Sequence, residues 1–176
     1  MIHPFAWIPE RNRKPVFLAF LAGSLMVLFL FQPLNRPLMT APAPSGIISL
    51  QLAWTAGNAA GMLASWDASA RLFAAFGLGF DYLFMLVYAL ALALGTLLAS
   101  ARHPGIFQKL GSWAAYASLL AAFLDALENL GQFQQIFHDR LDLAPAIGFL
   151  ATAKFVLIFL GLTYGLAGWF WPKKQG

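Results

Sequence analysis

Cysteine is absent from this 176-residue chain. That excludes disulfides, thiolate metal ligands and a cysteine nucleophile, and with them redox chemistry on the protein's own side chains. Charge is scarce as well: Asp, Glu, Lys and Arg make up 10% of the residues, against about 25% in a soluble domain. Only three histidines occur, and His3, His103 and His138 all fall outside the long apolar runs. No intramembrane haem or histidine-metal site is therefore implied. A Gly-rich phosphate loop, an HExxH pair and a Ser/His/Asp order are missing too. The basic residues are sparse and flank apolar runs, which makes nucleic acid a poor partner.

What is there is grease: 60% of the residues are hydrophobic, with 17 Phe and 6 Trp. A water-soluble core of the size this length allows cannot absorb so many large apolar side chains without leaving an apolar surface, so lipid has to cover the remainder. Four stretches approach the length needed to cross about 30 Å of hydrocarbon: roughly 16–31, 78–99, 111–137 and 147–171. The expected fold is all-α, a single integral membrane domain over 1–176. Four antiparallel spans form a bundle, and an extracytoplasmic amphipathic helical segment, about 32–76, separates spans one and two.

The first run is the shortest. Arg11, Arg13 and Lys14 precede it and Thr40-Ala41-Pro42-Ala43 follows, which is the outline of a signal peptide; it is expected to remain as an uncleaved anchor. Pro33 and Pro37 are expected to end that helix, with Pro42 and Pro44 keeping the next stretch extended.

Seven Lys and Arg residues (Arg11, Arg13, Lys14, Arg102, Lys109, Lys173, Lys174) gather on one side of these spans and three (Arg36, Arg71, Arg140) on the other. The positive-inside rule then puts both termini in the cytoplasm. Trp113, Trp169 and Trp171 at the inner boundary and Tyr82 at the outer one agree with that orientation.

Between residues 47 and 66 the apolar positions Leu50, Trp54, Met62, Leu63 and Trp66 recur at near-helical spacing. Asp67 can cap a further short helix carrying Ala70, Leu72, Phe73 and Phe76. With so little charge, this segment is expected along the outer membrane surface, an interfacial anchor being favoured over a lid across the bundle mouth.

Against this background, Asp125, Glu128 and Lys154 inside long apolar runs, and Asp81 just within another, are conspicuous. A charge at mid-bilayer costs at least about 2.5–3.5 kcal/mol, so such residues face a bundle interior and have partners. At about 1.5 Å per residue, Lys154 lies roughly 10 Å, Glu128 13 Å, Asp125 18 Å and Asp81 5 Å inside their spans, all in the outer half. Glu128 and Lys154 are at matching depth, and a direct ion pair is the first expectation.

On the third run Ser118, Asp125, Glu128, Asn129, Gln132 and Gln135 form one continuous helical stripe. On the fourth, Lys154 shares a face with Gly161, Gly165 and Gly168, and Gly161 with Gly165 makes a small-xxx-small pair. Asp81 and Tyr88, seven apart, share a face of the second. The candidate ligand-binding or structural polar cluster is thus Asp81, Tyr88, Asp125, Glu128, Asn129, Gln132 and Lys154.

Plainer roles exist for several of these. Asp81 at a helix start is favoured by the macrodipole, Lys154 has a stem long enough to snorkel, and a Glu128–Lys154 pair fixes helix register. Charge arithmetic speaks against a purely structural cluster, since three buried carboxylates face one lysine. A carboxyl must hold a proton, a cation must sit there, or a cationic partner must enter.

The segments Gly46-Ile47, Gln51-Leu52-Ala53, Trp66-Asp67, Asp81-Tyr82-Leu83-Phe84 with Tyr88, Asp125-Ala126-Leu127-Glu128-Asn129, and Lys154 resemble a group of small four-span bacterial inner-membrane proteins over most of the chain. The resemblance implies a bacterial inner-membrane location and an outer segment that belongs to the same unit as the bundle. It brings no activity, cofactor or substrate.

Three functions fit. The first is an accessory or lipid- or ligand-binding membrane subunit, whose partners are membrane lipids, further copies of itself or a larger membrane complex. The second is an intramembrane enzyme acting on a lipid or isoprenoid, with Asp125, Glu128 and Lys154 as catalytic candidates, by acid/base chemistry or with Asp125 and Glu128 holding a divalent cation. The third is proton- or ion-coupled transport. No cofactor is otherwise expected, and the accessory reading is favoured, because no spacing is specific for a known chemistry.

Overall fold

The computed structural model describes residues 3–171; Lys173 and Lys174, counted above for orientation, lie outside the described residues. Within them the chain is helical: α1 Glu10–Asn35, α2 Ile47–Gln51, α3 Ala56–Ala64, α4 Ala68–Ser100, α5 Ile106–His138 and α6 Ala144–Phe170, with short 3-10 turns at Arg36–Leu38 and Leu141–Leu143. Four of these helices are long and apolar enough to cross a membrane.

The second long helix starts well before the apolar run suggested. Asp67 does act as a cap, its Oδ1 accepting the Ala70 amide at 2.7 Å, but the helix it starts runs unbroken for 33 residues. Gly77 and Gly79 pass through its interior without ending it, because the helical hydrogen bonds continue on either side. Asp81 and Tyr82 therefore sit mid-helix, about 20 Å from the start. This removes the macrodipole reading of Asp81.

Helix α1 likewise extends through Pro33 to Asn35, so that only Pro37 lies in the turn that follows. The periodic stretch 47–66 divides into α2 and α3. The break is local chemistry: the Thr55 hydroxyl accepts the Asn58 amide at 3.2 Å, Asn58 Nδ2 donates to Ala53 O at 2.9 Å, and Trp54 takes a left-handed φ of 59°. An N-cap here satisfies otherwise unpaired amides and competes with continuing the helix.

The chain forms two compact units. One comprises residues 26–85 and 123–153, the other residues 3–25, 86–122 and 154–171 of the described chain; each long helix contributes a part to both. In the first unit Leu38, Ala43, Leu50, Ala59, Leu63 and Trp66 share a core with Ile136 of α5 and Ala144 of α6. Residues 36–66 are thus packed into that unit rather than lying loose. Trp66 is anchored there, its indole Nε1 donating to Leu38 O at 2.9 Å. Asn35 ties the end of α1 to the start of α2, Oδ1 accepting the Ile47 amide at 2.9 Å and Nδ2 donating to Ser45 O at 3.2 Å.

The second unit packs Phe5 and Ile8 with Ala93, Leu94, Leu97 and Ala115, flanked by Phe17, Phe20 and Leu119. Small residues let its helices approach. A Cβ on Gly161 would lie 2.9 Å from the Leu92 side chain, and one on Gly168 would lie 2.8 Å from the Ala99 Cβ. Gly165 meets nothing within 4 Å, so the contact pair is Gly161 with Gly168, two turns apart, rather than the one-turn pair the spacing suggested.

Candidate functional site

Helix α5 carries its polar residues inward. Asp125, Glu128, Asn129, Gln132 and Gln135 are all buried in the first unit, and Ser118 is buried in the second. The opposite face presents Leu120, Phe123, Leu127, Leu130, Phe133 and Phe137 outward, Phe123 being 60% exposed. This is the reverse of a soluble amphipathic helix, where the apolar stripe faces the core.

A hydrogen-bonded chain runs along the buried stripe. Asn129 Nδ2 donates to Asp81 Oδ2 at 2.8 Å and approaches Leu78 O at 3.5 Å, linking α5 to α4. Gln132 Nε2 donates to Glu128 Oε1 at 2.8 Å, one turn back along the helix, with Asn129 Oδ1 at 3.5 Å. Tyr82 Oη donates to Ala126 O at 3.3 Å, a second tie between the same two helices. The chain ends in unmet capacity: the Gln132 Oε1 and both amide atoms of Gln135 are buried without a hydrogen-bond partner among the described residues, as is the Oε1 of Gln51 on α2.

Lys154 belongs to the second unit and is buried, its Nζ 4.8 Å above the Phe155 ring. Burial rules out the snorkelling considered for it, since the head of a snorkelling lysine is exposed. Tyr88 is buried in the same unit. None of Asp81, Tyr88, Asp125, Glu128 and Lys154 is without a partner. Among the described residues no group of three or more His, Asp or Glu side chains gathers as a metal would require.

Two features had only weak signals in the sequence. Arg71, expected as an outer-loop cation, is half-buried and donates from Nη1 to Ile136 O at 3.1 Å and from Nη2 to Leu63 O at 3.1 Å. It serves the last turns of α3 and α5 together, adding to the Trp66 amide already on Leu63 O. In the second unit Tyr164 Oη donates to Phe107 O at 2.6 Å while its ring stacks on Phe107 at 4.4 Å, and His103 Nε2 pairs with Gly168 O at 3.0 Å. The carbonyls that these side chains serve have no sequence signature.

In comparisons with known proteins, the chain matches no family model, no curated protein and no solved structure.

Proposed function

We propose that this chain is a multi-pass protein of the bacterial inner membrane, an antiparallel four-span bundle with both termini cytoplasmic, acting as an accessory or lipid-binding subunit. The observation that carries the reading is the reversed polarity of α5, a buried polar stripe backed by an exposed apolar face. In water such a surface is an aggregation hazard, whereas in lipid it is the normal solution. The same outward grease recurs on α1 and α6, in Leu25, Met26, Phe29, Phe159, Leu160, Leu166 and Phe170.

Helix length adds a depth to this reading. At 33 residues each, α4 and α5 are about 50 Å long, against about 30 Å of hydrocarbon. The C-terminal turns of α5, with Gln132 and Gln135, then fall at headgroup depth, next to the packed segment 36–66. A polar group arriving there is a lipid headgroup, and the stripe is a place to hold it.

Native mass spectrometry of the protein extracted gently from its own membranes tests this. The expected result is the chain, alone or as a small homo-oligomer, carrying a defined lipid mass. A metal in place of lipid would favour an enzyme on a lipid or isoprenoid substrate. Release only with other polypeptides and without lipid would overturn the lipid-binding role. For orientation, the cysteine-free chain permits single introduced thiols. Position 106 is expected to be labelled from the cytoplasmic side and position 140 from the other.

A further inference from the structure

The unmet hydrogen-bonding capacity of the first unit has a definite composition. Three amide oxygens, from Gln51, Gln132 and Gln135, and one amide NH2, from Gln135, are buried and unpartnered among the described residues. An unmade hydrogen bond on a buried amide costs about 1–3 kcal/mol, so three such residues in one compact unit are not neutral packing. Gln132 and Gln135, three apart on α5, share a face. Gln51 of α2 lies in the same compact unit, and its chain neighbour Leu50 shares a core cluster with Ile136, the neighbour of Gln135.

A ligand that fits must bring more donors than acceptors, yet must bring some acceptor. A hard divalent cation does not fit these amides, since it takes no bond from an NH2 and prefers carboxylate oxygens. A quaternary choline headgroup offers no N–H at all. A primary ammonium offers three donors, and a phosphate two methylenes and an ester oxygen further on accepts from an NH2.

We propose that Gln51, Gln132 and Gln135 form a binding site for a phosphoethanolamine headgroup, the ammonium donating to the amide oxygens and the phosphate accepting from Gln135 Nε2. This rests on the lipid-binding reading above and names the class of lipid. Glu128 Oε1, which already holds Gln132 Nε2 at 2.8 Å, keeps the Gln132 oxygen turned toward the ligand. Its carboxylate also adds the charge sign that an ammonium prefers.

The test is native mass spectrometry and thermal unfolding of the full chain in phosphatidylglycerol nanodiscs supplemented with phosphatidylethanolamine or with phosphatidylcholine. Wild type is expected to retain one ethanolamine lipid about tenfold or more in preference to the choline lipid, the effect of losing a hydrogen bond to a charged group. Gln135→Leu should lose that preference and, in phosphatidylglycerol alone, unfold at a higher temperature than wild type, because an unpartnered buried amide has been replaced by an apolar side chain. Gln51→Leu, on a different helix, should lose the preference as well and gives an independent reading if Gln135→Leu does not fold. Free ethanolamine phosphate that protects wild type as well as the lipid does would support the headgroup chemistry and assign it to a soluble source. Equal retention of ethanolamine and choline lipids, or an undiminished preference in both variants, would overturn the proposal while leaving lipid binding intact. A wild-type chain that retains no lipid would overturn both.

Discussion

Residues 26–85 and 123–153 bury Asp125, Glu128, Asn129, Gln132 and Gln135 and join their helices through side-chain amides and carboxylates. The other unit buries Ala93, Leu94, Leu97 and Ala115 and joins its helices where Gly161 and Gly168 admit a neighbour's side chain. The same four long helices take part in both. In the membrane setting proposed above, the hydrophobic effect gives little drive between helices, so contact depends on fit and on hydrogen bonds. One unit links α4 and α5 through Asn129 and Asp81 side chains, while the other combines close approach with the Tyr164 and His103 bonds to main-chain carbonyls. A chain that needed only stability would use fit throughout, because a buried polar network is at best a modest net stabiliser. The buried side-chain amides of Asn129, Gln132 and Gln135 all fall in one unit, whereas the other buries Ser118 and Lys154.

The comparison breaks most sharply at Asn129. Asn129→Leu removes the bond to Asp81 and should destabilise by about 3 kcal/mol, the upper range for a hydrogen bond to a charged group. Thermal unfolding in one detergent measures it, and an unchanged midpoint would mean that the polar unit does not hold α4 to α5 in this way. Next comes Gly168→Leu in the fitted unit, where overpacking against Ala99 and Phe107 should cost about 2 kcal/mol. Gly165→Leu, at a position with open space, is expected to cost far less. If the two glycine variants unfold alike, close approach is not what that unit depends on.

Arg71→Ala should cost about 1.5 kcal/mol, for the two carbonyls that lose a donor, and Arg71→Lys should recover only part of it, lacking the fork. The smallest effect is expected at His3. Burial, followed by the nearby Arg13 charge, lowers its pKa, and its Nδ1 accepts the Phe5 amide at 3.2 Å, a bond available only to the neutral ring. The folded state therefore prefers the unprotonated form. Its contribution is complete above about pH 6.5 and is lost as pH falls through the lower folded value. A slight loss of midpoint on acidification that His3→Asn abolishes would bear this out, while an unaltered pH profile in the variant would exclude it.

Much of the α5 stripe could be read from its spacing, because polar residues three and four apart inside an apolar run have one helical face to share. The Asp67 cap was legible for the same local reason. The length of α4 was not, since the window that marks a span stops where hydropathy falls, whereas the helix continues wherever its backbone bonds do. Nor could spacing choose between Gly161 with Gly165 and Gly161 with Gly168; that depends on which neighbour crosses there. Arg71 was misjudged because its partners are main-chain carbonyls 8 and 65 residues away, which have no sequence signature. The unmet amides of Gln132 and Gln135 are hidden in the same way, as a polar stripe in a sequence does not reveal which of its atoms find partners.

The position of Arg71 also affects how the protein comes apart. Helices normally fray one end at a time, each at its own rate. Here one guanidinium bonds the last turns of α3 and α5, so its release takes a donor from Ile136 O and from Leu63 O, which keeps the Trp66 amide, in a single event. Native-state hydrogen exchange should accordingly find the amides of these two turns opening as one cooperative unit, and Arg71→Ala should split them into two.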